Sequence, residues 1–439
     1  MTPTKVLFIS HNHPKLLAGG VEVYMAGLYE ALRASPEFEP MILARAGKPF
    51  TPTNALHEDS PFAMVGVDPN QYLLYTDIED FDYFGGTLRT SKDVLSEHFR
   101  DFLVSHRPDV VHFQHTAYLG YDMVRIVRNT LPDAAIVYSL HEYLPICHRN
   151  GQMIRTKNDE LCELESPRRC NECFPDITPQ DFFMRKLFAK AHLSLVDRFT
   201  TPSEYVKQRY VDWGISPSRI VVKGYPALPR TGVPRAGATA RNRFAYFGQL
   251  NPYKGADVML RAMDLLGEDF DGHLWIWGAN LDKQSPEWRE RFEDLLAVDR
   301  ETVTFAGAYE HAELGKLMER IDWVIVPSIW WETGPIVVWE AFQHGRPVIS
   351  SDIGGMSEKV TDGVNGLHFR TGSAEEMAAV MQRAVDTPGL WDTLHAGIPA
   401  QPGHSMADDV EILRCIYRDA LAERATAAGD RELEGAGIG

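Results

Sequence analysis

Long apolar runs are missing from this chain of 439 residues. No stretch approaches the roughly 20 consecutive apolar residues that cross a bilayer, which argues against a membrane-spanning protein. The opening Met1-Thr2-Pro3-Thr4-Lys5 leads straight into a strand-like segment and lacks the pattern of a secretory signal. Positive charge is short as well. Lys plus Arg number 44 against 61 Asp plus Glu, a formal net charge of −17, and that balance argues against a nucleic-acid partner. The expected location is the cytoplasm, with peripheral contact to a membrane surface left open. Cysteine is scarce: there are five, and four of them fall between Cys147 and Cys173.

What is present reads as a globular enzyme-sized chain. Apolar residues make up 44% and charged residues 24%, ordinary values, and the length suffices for two domains with full cores. Strand-like and helix-like segments alternate in both halves, so the expected class is α/β with two doubly wound domains facing a cleft. The most informative stretch follows the buried-strand pattern Trp323-Val324-Ile325-Val326-Pro327-Ser328 and runs from Trp330 to Gly345. Thr333 suits an N-cap, Pro335 a first helical turn and Gly345 a helix stop. A helix N-terminus at the carboxyl end of a strand is a seat for phosphate. Glu332 and Glu340 beside it accept hydrogen bonds from sugar hydroxyls. Together these features describe a nucleotide-sugar footprint.

In the first half, Lys5–Ser10 reads as a strand, 11–17 as a loop, Gly19-Gly20 as a tight turn and Val21–Arg33 as a helix. Residues 50–85 are aromatic-rich without a clear period, and Asp80-Phe81-Asp82 within them reads as a solvated acidic turn. Asp109–His115 and Ile136–Tyr143 are strands ending in histidines, which suggests a shared site lip. Cys147, Cys162, Cys170 and Cys173 end in a Cys-x2-Cys. In a reducing compartment that set fits a tetrahedral structural zinc, with His148 as a substitute ligand. Free buried thiols or disulfides are the alternatives. Phe182–Lys190 reads as a core-facing helix, with a membrane-facing role the weaker reading. A Pro/Gly-rich segment, 226–240, reads as a linker. Leu274–Gly278 and Thr302–Gly307 read as strands whose following loops flank the site. Val410, Leu413, Ile416, Tyr417, Ala420 and Leu421 form a helical stripe, and the residues after Ala425 read as a disordered tail.

The Glu-x7-Glu of Glu332 and Glu340 does not stand alone. It continues through Gly345-Arg346-Pro347-Val348-Ile349-Ser350-Ser351, Gly354-Gly355 and Asp362-Gly363-Val364-Asn365-Gly366. This run resembles the motif of retaining GT-B glycosyltransferases of family 4, also called group 1. The resemblance implies domains at 1–225 (acceptor side, with the Cys-rich insertion 147–173) and 241–404 (nucleotide-sugar side). It also implies a helix at 405–425 that packs back on the first domain, before a tail at 426–439. Gly19-Gly20 resembles the loop near the donor diphosphate. The strand at Asp109 is similar to the family's Asp-Val-Val-His-x-His, but Gln114 occupies the second histidine position, which leaves neighbouring His115 as the expected catalytic histidine. Phe244–Gly255 resembles Gly-Arg-x4-Lys-Gly, with Lys254 matching and Gln249 in place of the arginine. By the same resemblance Thr333, Gly334, Pro335, Ile336 and Val337 contact the donor, Glu332 its sugar and Glu340 its ribose. The implied reaction is retaining transfer from a UDP- or GDP-sugar to a saccharide, lipid-linked or small-molecule acceptor, in bacterial polysaccharide or glycoconjugate synthesis. The implied catalysis requires no cofactor. Hydrolysis or epimerisation of a nucleotide-sugar, or silent binding of one, are the alternatives.

Overall fold

The computed structural model describes residues 2–16, 19–47, 62–76, 90–231, 235 and 240–436, with backbone alone at 62–65, 90–94 and 429–436. The acidic Asp80-Phe81-Asp82 and part of the 226–240 segment lie outside them. Two compact units emerge: unit 1 is Met1–Pro202, Lys207–Lys223 and Met406–Gly439, and unit 2 is Ser203–Val206 with Gly224–Ser405.

The first unit alternates strands and helices: β1 Thr4–Ser10, α1 Gly20–Arg33, β2 Phe38–Ala46, β3 Phe62–Asp68, β4 Gln71–Thr76, α2 Thr90–His106, β5 Val110–Phe113, α3 Asp122–Thr130 and β6 Ala135–Ser139. It continues through α4 Pro167–Cys173, α5 Pro179–Leu193, β7 Arg198–Thr201, α6 Glu204–Trp213 and β8 Ile220–Val222. The second holds β9 Arg243–Gln249, α7 Ala256–Leu266, β10 His273–Ala279, α8 Pro286–Ala297, β11 Val303–Gly307, α9 Leu314–Met318 and β12 Trp323–Val326. It then adds α10 Ile336–Gln343, β13 Val348–Ser351, α11 Gly354–Ser357, β14 Gly366–Phe369, α12 Ala374–Asp386 and α13 Leu390–Gly397, before α14 Met406–Ala436 rejoins the first unit.

Unit 1 carries an eight-stranded sheet in the order β3-β4-β2-β1-β5-β6-β7-β8, and unit 2 a six-stranded sheet in the order β11-β10-β9-β12-β13-β14. Within the two sheets every strand pairing among the described residues is parallel except β3 with β4. Parallel strands are covered on both faces, so they read as continuous apolar runs. Val6 to Ile9 and Trp323 to Val326 are buried accordingly. The β3–β4 hairpin falls in the segment whose sequence shows no period; it turns at Pro69–Asn70, where Asn70 takes φ 62°. Asparagine tolerates that left-handed backbone better than most residues. Among the described residues no helix is long and apolar enough to cross a membrane.

Helix α14 is fastened to unit 1 by polar groups as well as by its apolar stripe. Leu413, Ile416, Tyr417 and Ala420 are buried. The Tyr417 hydroxyl meets His112 Nδ1 at 2.8 Å, and His112 Nε2 meets Ser139 Oγ at 2.9 Å. Lys223 Nζ donates to both oxygens of Asp409 at 2.7 and 3.0 Å, and the Tyr24 hydroxyl donates to Asp409 at 2.7 Å. The helix runs eleven residues beyond the expected end at Ala425. Residues 426–436 hold alanine and glutamate, good helix formers, alongside two glycines, and extending a formed helix avoids a second nucleation cost. Asp409→Ala leaves the Lys223 ammonium buried without its counter-charge, so chemical denaturation should show unit 1 weakened by about 3–5 kcal/mol. Adding Lys223→Met should restore most of that loss. An unchanged midpoint in the single variant would remove the pair from the forces holding α14.

Candidate functional site

Strand order in unit 2 reverses between β9 and β12, and in open α/β sheets the ligand crevice forms at such a point, outside the strand carboxyl ends. The loops leaving these two strands meet there. Ile329 N–H donates to Tyr253 O at 2.8 Å. A Cβ on Gly255 would sit 1.9 Å from Pro327 O, and Gly255 has φ +69°, so only glycine lets the two loops approach this closely. Asn251 Oδ1 accepts from the N–H groups of Tyr253 and Lys254 at 3.0 and 3.1 Å, which fixes the turn that presents Lys254.

Lys254 Nζ reaches Glu332 Oε1 at 2.5 Å across 78 residues of sequence. The same oxygen accepts from Ser328 Oγ at 2.6 Å and Trp330 Nε1 at 2.9 Å. Lys254 also lies over the Trp330 ring, 5.5 Å from its centroid. Glu332 is thus a buried acceptor with three donors on one oxygen. Beneath it, Gly355 N–H donates to Glu332 O at 2.7 Å. A Cβ on Gly355 would lie 2.6 Å from Thr333 O, and one on Gly354 2.9 Å from Glu332 O. The Gly354-Gly355 pair of the sequence motif is therefore the floor of the Glu332 loop.

Thr333 is not the N-cap of α10. That position is Pro335, in an extended conformation and without a side-chain cap. Gly355 and Ser203 hold the Thr333 segment instead; Ser203 Oγ donates to Thr333 O at 2.8 Å. Gly345, at φ +66°, follows the helix end as expected. The first turn of α10, with Ile336 and Val337, carries no acidic residue, so its N–H groups suit an anion.

Glu340 projects from α10 toward His311, whose Nδ1 stands 3.6 Å away. Burial raises the Glu340 carboxyl above its ordinary range, and His311 opposes that shift. Tyr309, pushed up to about 12 by burial and then by the Glu340 charge, packs edge-on against Phe247 at 5.5 Å. Phe247 in turn lies parallel to Trp277 at 5.0 Å. This aromatic wall has no motif in the sequence, because its members come from three different strands or strand ends. Gln249 is exposed at the end of β9, and its carbonyl accepts from the Tyr246 hydroxyl at 2.6 Å.

Unit 1 repeats the arrangement at its own point of reversal, between β1 and β5. Gln114 N–H donates to Ile9 O at 2.8 Å, and the His11 and His115 rings lie 4.1 Å apart. His115 Nδ1 accepts from Ala117 N–H at 3.0 Å, so the neutral ring carries its proton on Nε2. Burial lowers His115 to about 4, and it lowers His11 and His141 well below the usual range, aided by the neighbouring histidines. Gln114 is wholly buried, with Oε1 2.9 Å from His141 Nε2. Gly19 and Gly20 open α1, where Gly19 N–H donates to Glu22 Oε2 at 3.1 Å. Burial raises the Glu22 carboxyl. His11, Glu22 and His141 join the expected set here; histidines at two strand ends pointed to His141, and no sequence signal pointed to His11 or Glu22.

The fold and both switch-point sites define a GT-B glycosyltransferase architecture. Its solved counterparts include sucrose-phosphate synthase from Thermosynechococcus elongatus, with TM-score 0.65 at 17% identity, covering 99% of this chain and 100% of that one. Anabaena HepE in complex with UDP and glucose aligns with TM-score 0.61 at 16% identity, over 94% and 99% of the two chains. Residues 18–222 match the family described as Glycosyltransferase Family 4, and residues 241–387 match Glycosyl transferases group 1. The chain belongs to these family 4, group 1 glycosyltransferases. D-inositol 3-phosphate glycosyltransferase of Acidothermus cellulolyticus is 29% identical over 310 residues, which span 66% of this chain and 65% of that relative.

Two outcomes follow from this geometry. Gly355→Ala should push the Thr333 carbonyl aside, lowering the melting temperature and shifting the fluorescence of Trp330 and Trp331; an unshifted spectrum would show the floor to be slack. His115 has an ordinary value near 6.5 when unfolded and about 4 when folded. Its stability contribution is complete above pH 6.5 and is lost as pH falls toward 4, by up to about 1.4 kcal/mol per pH unit. Denaturation at pH 6.5, 5.5 and 4.5 should show a shallower slope for His115→Gln than for wild type.

Proposed function

We propose that this protein is a retaining glycosyltransferase that moves a sugar from a nucleotide-sugar, UDP- or GDP-linked, to a hydroxyl acceptor in glycan or glycoconjugate synthesis. The observation that carries the reading is the pairing of Lys254 with buried Glu332 beside the uncapped first turn of α10, with Glu340 further along that helix. The solved HepE complexes contain UDP, glucose or UDP-glucose, and starch synthase IV of Arabidopsis thaliana is bound to ADP and acarbose. These complexes support a nucleotide-sugar donor and a saccharide acceptor.

In this reading Lys254 and the N–H groups of Gly334, Ile336 and Val337 take the diphosphate. They stabilise the charge that grows as the bond from the sugar's anomeric carbon to phosphate breaks. When Lys254 turns to phosphate, Glu332 accepts from donor-sugar hydroxyls. Glu340 accepts from the ribose hydroxyls, and the Trp277–Phe247–Tyr309 wall flanks the base. The acceptor hydroxyl attacks on the face that the phosphate leaves and gives its proton to the departing phosphate oxygen, so configuration is retained. His115 stays neutral near pH 7 and offers its Nε2–H to a substrate hydroxyl.

The three assigned roles separate kinetically. Lys254→Ala should lower kcat by about a hundred-fold or more. Glu340→Ala removes contacts made equally in ground and transition states, so donor KM should rise while kcat changes little. Glu332→Ala should depress kcat while binding of free UDP or GDP survives. Initial rates and calorimetry on the three variants test this set; wild-type rates from both glutamate variants would end the assignment. Donor consumption without an acceptor would indicate hydrolysis, and tight donor binding without turnover would indicate a binding protein.

A further inference from the structure

Residues 147–174, inserted between β6 and α5, have almost no core of their own. Only Met153 and Ile154 among them are buried hydrophobic side chains, and a segment so poor in core needs a staple. Cys147, Cys162, Cys170 and Cys173 are all partly buried, and none is joined in a disulfide. All four line one cavity of about 30 Å³, together with His148 and Glu165. That is enough room for an atom-sized guest, since a water needs about 10–15 Å³ on the same measure.

Three short pieces of backbone bring the sulfurs there. Cys147 ends a turn in which its N–H donates to Tyr143 O at 2.8 Å, and its carbonyl accepts from Gly151 N–H at 3.0 Å. Cys162 follows the antiparallel bridge of Ile154 with Leu161, and its N–H donates to Met153 O at 2.7 Å. Cys170 and Cys173 stand nearly one turn apart on α4, which Ser166 caps. The Cys162 thiol donates to Leu164 O at 3.5 Å, while backbone hydrogen bonds at Met153 and Arg149 act on the Cys147 sulfur and one at Ser166 acts on Cys170, lowering both thiols. Those at Cys147 and Cys170 favour thiolate over thiol.

Burial opposes them. It pushes Cys170 up to about 12, with further contributions from Glu165 and from the sulfurs of Cys147 and Cys162. A dication in the cavity would reverse that balance. One dication with four thiolates carries a net charge of −2, and cations stand ready to offset it: Arg155 and Arg169 act on Cys162, and Arg185 on Cys147. The His148 ring packs between Phe174 and Phe182, 4.8 and 5.9 Å away, so the four sulfurs are the better donor set. Among the described residues no three His, Cys, Asp or Glu side chains already form a ready metal site. Closure therefore requires the thiols to draw inward.

We propose that Cys147, Cys162, Cys170 and Cys173 bind one zinc ion in a closed tetrahedral site that staples this insertion. Four soft thiolates with no open position match structural zinc rather than a hard or catalytic ion. Binding releases one proton from each thiol to solvent and moves no electrons.

The test uses the full chain purified under reducing conditions. Elemental analysis should find close to one zinc per chain, released when a mercurial titrates the thiols. Cys170→Ser should lower the content severalfold, whereas Cys415→Ser should leave it unchanged. Replacing zinc by cobalt in the wild-type protein should give the charge-transfer and ligand-field bands of a tetrahedral cobalt thiolate, a readout independent of how any variant folds. A folded, reduced chain that carries no zinc and takes up none from added zinc chloride would overturn the proposal. Peptide mapping that finds these cysteines joined as disulfides would overturn it too.

Discussion

A carboxylate buried at a sheet's reversal point must have its charge answered locally, and in unit 2 Lys254 answers that of Glu332. Unpaired, a buried charge of this kind costs several kcal/mol; here three donors meet one oxygen. Much of the surrounding backbone serves that contact. Gly255 lets the β9 loop pass against Pro327 O, and Gly354-Gly355 lets the chain after β13 pass beneath Glu332 and Thr333. The pairing also sets the terms for a ligand. An anion that takes Lys254 away must bring donors for Glu332, and a phosphate joined to a sugar does both. Free phosphate supplies an acceptor for the lysine but nothing adequate for the glutamate. The resting ion pair thus favours a ligand that joins an anion to hydroxyl donors over an inorganic anion.

Unit 1 meets the same topology with different groups. Its strands also reverse beside β1, but the groups gathered there are imidazoles that burial keeps neutral, together with the Gln114 amide. Neutral donors and acceptors recognise hydroxyls by direction rather than by charge. Lys223 and Asp409, a buried pair of unit 1, fasten α14 instead.

Features set by neighbours in sequence were legible before any coordinates. The apolar run of β12 and the stop at Gly345 follow from local period and backbone preference. The alternating segments and the motif resemblance together implied two Rossmann-like domains. Features set by distant chain were not legible. Thr333 has every local qualification for an N-cap, yet distant Ser203 binds its carbonyl and the helix starts after Pro335. Lys254 could be seen to face an anion, but not that Glu332 would be its partner at rest. The β3–β4 hairpin escaped because its aromatic segment lacks alternation, and the end of α14 because composition underrates the extension of a helix already formed. The wall of Trp277, Phe247 and Tyr309 exists only once β9, β10 and the end of β11 lie side by side.

Gln249 raises a question of charge that the structure answers in part. It stands where the resembling motif has arginine, and its exposed place at the end of β9 leaves Lys254 as the cation on that loop. A second positive charge acts on Glu332 from another direction. Lys359 is buried, with its ammonium 5.5 Å from the centre of the Trp339 ring. Burial lowers it to about 8, against the opposing pull of Glu358 and Glu332. Near pH 7 it is mostly protonated, and Glu332 feels two lysines. As pH climbs through 8 the Lys359 charge fades. The positive potential around this loop therefore weakens on the alkaline side, whereas the neutral histidines of unit 1 gain charge only in acid. An arginine at position 249 would hold its charge throughout. Lysine at 359 ties the potential of the site to pH.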